Sequence, residues 1–248
     1  MHSVEKIKGI VLEQNKQEKI VEMFDDIAPT YDKANRVLSM GIDIQWRKKA
    51  CNETFERYNQ PIDLIVDVAC GTGDMMNYWD KQAQKNKRDI KKIIGVDPSI
   101  GMVNVGKEKF PNFEFIISDA TALPMQDESV DILSISYGIR NVVKREEAFR
   151  EFARVIKPGG YVVILEFTKD DKKGLLFGIK DFYMNRVLPK IGGFISKNRE
   201  AYEYLPNSIE GFLTSNMLQS ELDNAGFTTE FSKSFSMDIS TLVIAKKR

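Results

Sequence analysis

Residues 67–74 read DVACGTGD, and they follow the apolar run IDLIV at 62–66. A short apolar run of this kind suits a strand buried on both faces. Gly71 and Gly73 let the backbone turn tightly and come close to a ligand. MMNYWDKQA then continues as a helix. Strand, glycine turn and helix in that order make one unit of a parallel sheet, and the unit repeats outward. KKIIGVD (91–97) and SIGMVNVGKEKF (99–110) form a second pair, FEFIISDA (113–120) a third strand and SVDILSISYG (129–138) a fourth. KREEAFREFARVI (144–156) is amphipathic, with Ala148, Phe149, Phe152, Ala153 and Ile156 on one face. KPGG should stop that helix, leaving YVVILEF (161–167) as a fifth strand. A helix over SIEGFLTSNMLQSELDNAG (208–226) and two strands, FTTEFSKSFS (227–236) and DISTLVIAKK (238–247), close the chain. The alternation predicts an α/β fold, a mostly parallel sheet with helices on both faces.

Upstream of residue 61 there is no strand patterning. QEKIVEMFDDIAPTYD and QWRKKACNETFERY read as helices around a loop at Ala28–Tyr31. The expected organisation is a helical N-terminal extension (1–60) serving the substrate side, then the α/β domain (61–248) with a helical insertion at 168–205. Composition narrows the chemistry. Of 248 residues, 42% are hydrophobic and 29% charged, with a formal net charge of zero, which disfavours a general nucleic-acid binder. The first apolar stretch is broken by Lys6, Lys8 and Glu13, so no secretory leader is expected. Cys51 and Cys70 supply neither a disulfide framework nor a zinc set, which points to a reducing cytosol and no metal. His2 is the only histidine, so general-base catalysis by histidine is disfavoured.

In such sheets ligands bind beyond the carboxyl ends of the strands. Asp97 ends the second strand, where an acid can accept both hydroxyls of a ribose, and Asp119-Ala120 ends the third, where an adenine amino group can be read. A dinucleotide fingerprint would place a third glycine where Met76 stands, and Asp74 would repel a pyrophosphate. The cationic amino-acid end of S-adenosyl-L-methionine tolerates that carboxylate, so a methyl donor is favoured over a nicotinamide cofactor.

DVACGTGD, VDPS, SDATALP, RVIKPGG and the closing strand pair together resemble the class I S-adenosylmethionine methyltransferases. YDKANRVLSMGIDIQW, SYGIRNV, RVIKPGGYVVILEF and YEYLPNSI resemble more narrowly the menaquinone/ubiquinone biosynthesis C-methyltransferases, over nearly the whole chain from about Phe24 onward. The resemblance implies a Rossmann-like sheet of seven strands with an antiparallel final strand. It implies methyl transfer to a ring carbon of demethylmenaquinol or of a ubiquinol precursor, with the donor held by Thr72, Asp97, Asp119, Ala120 and Ser136. Tyr31, Asp32, Asn35, Ser39 and Trp46 keep the family pattern, whereas Ala34 stands where Met is usual and Asp43 where His is usual. Asp43 either has no chemical part or takes over a polar one. A methyltransferase for another lipidic or phenolic acceptor, or a donor-binding protein without catalysis, are the alternatives.

For a quinol ring, the task is to stabilise the anion made by losing a hydroxyl proton and to align carbon, methyl and sulfur. Arg140 and Asn141, just past the fourth strand, are the candidates for the two ring oxygens. A cation at 4 Å with an effective dielectric of ~20 contributes roughly 4 kcal/mol, enough to lower an aromatic hydroxyl's pKa by roughly one to three. Aimed at the sulfonium, the same charge would repel. A strand-end ion pair with Glu146 or Glu147 is the equal alternative for Arg140, and Glu166 is a lesser candidate that reads as structural. Tyr31 and Asp32 complete the candidate set, Asp32 as proton acceptor beside a water held by Arg140, or only as the N-cap of a helix.

A quinone precursor carries a prenyl tail. Between Thr168 and Glu200 eight basic residues stand against four acidic ones, among many apolar side chains. Its apolar positions cover most of a helical wheel, which suits a lid over an apolar tunnel touching anionic lipid better than a clean amphipathic anchor. A helix pair packed on the core, or a homodimer contact, is an equal reading. The expected location is cytoplasmic, with peripheral association at the inner face of the membrane as a hypothesis.

Overall fold

The computed structural model describes residues 2–169, 186, 192–193, 196, 198–236 and 238–248. Three helices precede the sheet: α1 (His2–Ile27), α2 (Tyr31–Leu38) and α3 (Ile42–Arg57), with a 3-10 turn at Ala28–Thr30. The alternation then runs β1 (Ile62–Val68), α4 (Asp74–Lys85), β2 (Ile90–Asp97), α5 (Ile100–Lys109), β3 (Glu114–Ile117), β4 (Val130–Ser136), α6 (Arg145–Val155) and β5 (Ile156–Glu166). It closes with α7 (Arg199–Glu210), α8 (Ser215–Asn224), β6 (Phe227–Phe235) and β7 (Ser240–Lys247). The seven strands lie in the order β3-β2-β1-β4-β5-β7-β6. Neighbours from β3 to β5 pair parallel, and β7 runs antiparallel to both β5 and β6. This is the expected α/β architecture with its antiparallel final strand.

Successive residues of a strand face opposite layers. In β4, Leu133 joins a core with Phe149 and Phe152 of α6 and Leu218 and Leu222 of α8. Its neighbour Ile132 joins a second core with Trp46 and Phe55 of α3 and Met76 and Trp79 of α4. A third, smaller cluster joins Ile27 of α1, Ala34 and Leu38 of α2, Met102 of α5, and Ala201 and Tyr202 of α7. The N-terminal helices are thereby packed over one end of the sheet. Asp25 of α1 fastens them, accepting hydrogen bonds from Ser99 Oγ (2.6 Å) and the Gly101 N–H (2.7 Å) at the start of α5.

Three sequence expectations change. The helix expected over 208–226 is broken at 211–214: Ser208 to Glu210 end α7, and α8 begins at Ser215. KPGG is not a turn ahead of the fifth strand: Ile156 already pairs with Val130, and the next partners are Tyr161 and Ile132. Lys157 to Gly160 therefore sit within β5 as an irregularity. Two glycines and a proline that donates no hydrogen bond tolerate it. Ile156 accordingly belongs to the strand and not to the apolar face of α6. Asp32 is not an N-cap either, because α2 begins at Tyr31 and Asp32 lies in its first turn. The lid or anchor reading of 168–205 falls mostly outside the described residues, of which α7 is the substantial described part.

A buried polar chain crosses the sheet. Trp79 Nε1 donates to Ser134 Oγ (2.9 Å), whose hydroxyl donates to Asp67 Oδ1 (2.6 Å). Burial pushes the Asp67 carboxyl up to about 7, only partly offset by that hydrogen bond. A group that binds its proton more tightly folded than unfolded stabilises fully below its unfolded pKa and loses that contribution as pH rises through the folded value. The unfolding free energy in urea should therefore fall between pH 4 and pH 8, with Asp67 contributing on the order of 3–4 kcal/mol of the fall. Asp67→Asn should make the fall shallower; a stability that rises over this window would contradict the assignment.

Candidate active site

β1 pairs with β2 on one side and β4 on the other, so the connections after β1 and β4 leave toward opposite faces. The crevice between them is the topological switch point. A cavity opens there, lined by Gly71, Asp97, Asp119, Ala120, Ser136 and Asn141, with Tyr31 on one wall and Gln17 and Phe24 of α1 above. Seven of the predicted site residues thus share one cavity.

Asp97 closes the glycine turn. Its Oδ2 accepts from the Gly71 N–H (2.8 Å) and its Oδ1 from the Ser99 N–H (2.9 Å). Each carboxylate oxygen keeps a further acceptor position. Burial pushes this carboxyl up to about 6, against the pull of those two bonds. Asp119 is braced by the backbone N–H and hydroxyl of Thr121, both on Oδ1 (2.9 and 2.8 Å). Ser136 Oγ is buried with no hydrogen-bond partner among the described residues. An orphaned hydroxyl in the wall and two carboxylates with spare acceptor positions fit an adenosine.

The turn geometry is tight. Gly73 has φ +84°, and a Cβ there would come within 2.8 Å of the Phe115 ring. Ala69 and Tyr137, which end the segments after β1 and β4, both have positive φ (49° and 60°) and both line the cavity. Non-glycine residues held there carry backbone strain, a feature of ligand clamps. Gly138 follows Tyr137 and packs on Ala69 so closely that its own Cβ would lie 2.5 Å from the Ala69 Cβ.

Thr72, Asp32 and Gly73 are drawn to the neighbouring side. Thr72 Oγ1 donates to Asp32 Oδ1 (2.7 Å), and Lys109 Nζ bridges Asp32 Oδ2 and Asp74 Oδ1 (2.6 Å each). Arg36 pairs with both Asp74 and Asp43, and Arg47 with Asp43, whose Oδ1 also accepts from Ser39 Oγ (2.6 Å). Three cations and three carboxylates balance one another where α2, α3, α4 and α5 meet. Burial works against ionising Asp74, but Lys109, Arg47 and Arg36 hold it below the usual carboxylate range. Asp43 thus has a polar task, as anchor for two arginines.

Arg140 lies in a 3-10 turn, Ile139–Asn141. The expected ion pair exists, but with Glu166 at the end of β5 rather than Glu146 or Glu147. Arg140 Nη1 donates to Glu166 Oε1 (2.6 Å) and to the Tyr137 carbonyl (2.7 Å). Arg140 Nε donates to Ser208 Oγ (3.3 Å), and the Arg140 backbone N–H to Glu166 Oε2 (3.3 Å). Glu166 is fully buried and the Arg140 side chain 7% exposed. Asn141 Oδ1 accepts from the Tyr204 hydroxyl (3.1 Å). Tyr31, whose hydroxyl burial pushes up, feels the Arg140 cation pulling it back down. Arg140, Asn141, Tyr31 and Tyr204 therefore form one neighbourhood beside the cavity.

The profile of the ubiE/COQ5 methyltransferase family matches residues 12–247. The chain belongs to that family. The ubiquinone/menaquinone biosynthesis C-methyltransferase UbiE of Campylobacter jejuni (serotype O:6) is 58% identical over 232 residues, 94% of this chain and 99% of that one. The demethylmenaquinone methyltransferase of Bacteroides fragilis (strain NCTC 9343) is 35% identical over 254 residues, 98% of each chain. Among solved structures, a SAM-dependent methyltransferase from Thermotoga maritima superposes with a TM-score of 0.60 at 19% identity, covering 92% of this chain and all of that one. One from Aquifex aeolicus gives 0.55 at 17%, covering 80% and 89%. The fold is that of the SAM-dependent methyltransferases.

In this methyltransferase, several partners escaped the sequence reading. From sequence Glu166 is only a lesser candidate beside its structural reading. Tyr204 and Ser208 lie four apart on α7 and touch Asn141 and Arg140; that i, i+4 spacing of polar groups within YEYLPNSI was the available signal. The contribution of α1 to the cavity left no mark in periodicity. Gly138→Ala should lower stability by roughly 1–3 kcal/mol, since neither Ala69 nor the turn has room to yield. Thermal unfolding measures it, and an unchanged melting temperature would show that the strand ends are not clamped.

Proposed function

We propose that the chain is a C-methyltransferase of respiratory quinone biosynthesis, acting on the ring of a prenylated quinol such as demethylmenaquinol. The relatives' activities support the substrate class. The observation that carries the chemistry is Arg140, buried next to the cavity-lining Gly138 and Asn141 with Nε and Nη1 engaged by protein. Among the described residues Nη2 has no protein hydrogen bond. S-adenosyl-L-methionine, when bound, supplies an electrophilic methyl group on a sulfonium. The chain's residues would hold it through Gly71, Asp97, Asp119, Ala120 and Ser136, with Thr72 and Gly73 shaping the loop behind them.

Arg140 Nη2 then donates to the quinol oxygen beside the reacting carbon and stabilises the anion left when that hydroxyl gives its proton to a water held by Arg140. Asn141 and Tyr31 orient the ring. Asp32, with one oxygen on Thr72 and the other on Lys109, links α2 to the glycine turn instead of taking up the proton. No described helix is long and apolar enough to cross a membrane; transient contact of the basic 168–205 segment with anionic lipid, and a homodimer, remain part of this reading.

The deciding experiment combines purified protein, methyl-labelled S-adenosylmethionine and chemically reduced demethylmenaquinone in detergent, with mass spectrometry of the extracted quinone. A labelled ring methyl is expected. Arg140→Ala should lower kcat by about a hundredfold or more while donor binding persists. Donor binding without any ring methylation by the native chain would overturn the substrate assignment. Ribose hydroxyls donate to an ionised Asp97, so donor affinity should fall as pH drops below about 6, and Asp97→Asn should remove that dependence. A calorimetric affinity flat from pH 5 to pH 8 in the native chain would contradict it.

A further inference from the structure

We propose that Glu166 is the positioning and charge-balancing residue of this site: it fixes Arg140 by Nη1 and backbone N–H, turns Nη2 to the acceptor, and cancels the arginine's charge toward the donor sulfonium. The inference rests on the reading that Arg140 works beside a bound sulfonium donor.

The geometry leaves Glu166 little other function. Its side chain is fully buried at the carboxyl end of β5, and its Oε1 also accepts from the Phe167 N–H (2.7 Å). Three donors therefore converge on it, two of them from Arg140. The parallel pairing of Ser136 with Leu165 brings the turn after β4 against the end of β5, so the two residues meet without any reach of chain. Arg140 is further held by the Tyr137 carbonyl, by Ser208, and over the Phe167 ring at 5.5 Å. A side chain bound on every side but one is fixed in direction.

The charge argument is separate. Gly138 and Asn141, on either side of Ile139 and Arg140, line the cavity, while Arg140 itself stands behind that lining. Even at a separation of ~10 Å, with an effective dielectric of ~20, an unpaired cation would weaken the binding of a sulfonium on the order of tenfold. It would not weaken binding of the neutral thioether product. Glu166 removes that penalty while the directed Nη2 still reaches a developing anion at hydrogen-bond distance. One arginine can then serve an anionic acceptor beside a cationic donor.

The test is the ratio of dissociation constants for S-adenosylmethionine and S-adenosylhomocysteine, by calorimetry on the full chain. Glu166→Gln should weaken the sulfonium about tenfold relative to the thioether, and adding Arg140→Gln should restore the native ratio. Glu166→Asp keeps the charge but shortens the reach, so the ratio should stay within about twofold of native while kcat falls about tenfold. This second variant also serves if Glu166→Gln does not fold. A ratio unmoved by Glu166→Gln, both ligands weakened alike, or a ratio lost in Glu166→Asp would overturn the proposal. The dissociation-constant ratios do not depend on the acceptor, and only the kcat of Glu166→Asp does: a native chain that binds both ligands yet methylates no quinol refutes the substrate reading and leaves the ratio test standing.

Discussion

The adjacency of β1 and β4 at the centre of the sheet is the constraint from which the site follows. Two parallel strands whose connections depart to opposite faces must leave a crevice at their carboxyl ends. The chain keeps that crevice narrow and stiff. Gly138 packs on Ala69 with no room for a Cβ, and both flanking non-glycine residues are held at positive φ. The glycine turn on one side and the Arg140 turn on the other are thereby set at fixed distance, each tied back by a buried carboxylate: Asp97 on the Gly71 N–H, Glu166 on the Arg140 N–H.

Charge around the crevice is paired in two separate groups. The six-membered cluster of Arg36, Arg47, Lys109, Asp32, Asp43 and Asp74 joins the helices to the start of α4. The Arg140–Glu166 pair stands at the other wall. Buried pairs of this kind contribute little net stability against their desolvation, and losing one partner is costly. Their value here is orientation. A site that must accept a sulfonium and stabilise an anion within a few ångströms needs its fixed charges held in direction and near balance.

The sheet was legible because its strands are apolar runs buried on both faces and its turns are marked by glycine and acid at the strand ends. Asp97 and Asp119 could be placed for the same reason, since the carboxyl ends of successive parallel strands must converge; Ser136 came only through the family resemblance. KPGG misled because a proline and two glycines read locally as a stop, whereas the β4 ladder reclaims the segment through the Val130–Ile156 pair. The partner of Arg140 was misjudged because Glu146 and Glu147 are near in sequence, while Glu166 is near only through β4–β5 pairing. Asp32 looked available as a base because its partner, Lys109, comes from another helix 77 residues away. Long-range ion pairs of this kind have no signature in one sequence.

The most direct single measurement is a crystal structure of the full chain with S-adenosylhomocysteine. The account predicts the ribose on Asp97, the adenine between Asp119 and Ala120, and Arg140 still bound to Glu166 with Nη2 turned to the space beside the sulfur. A ligand seated elsewhere, or Arg140 swung from Glu166 to pair with the ligand's own carboxylate, would contradict it.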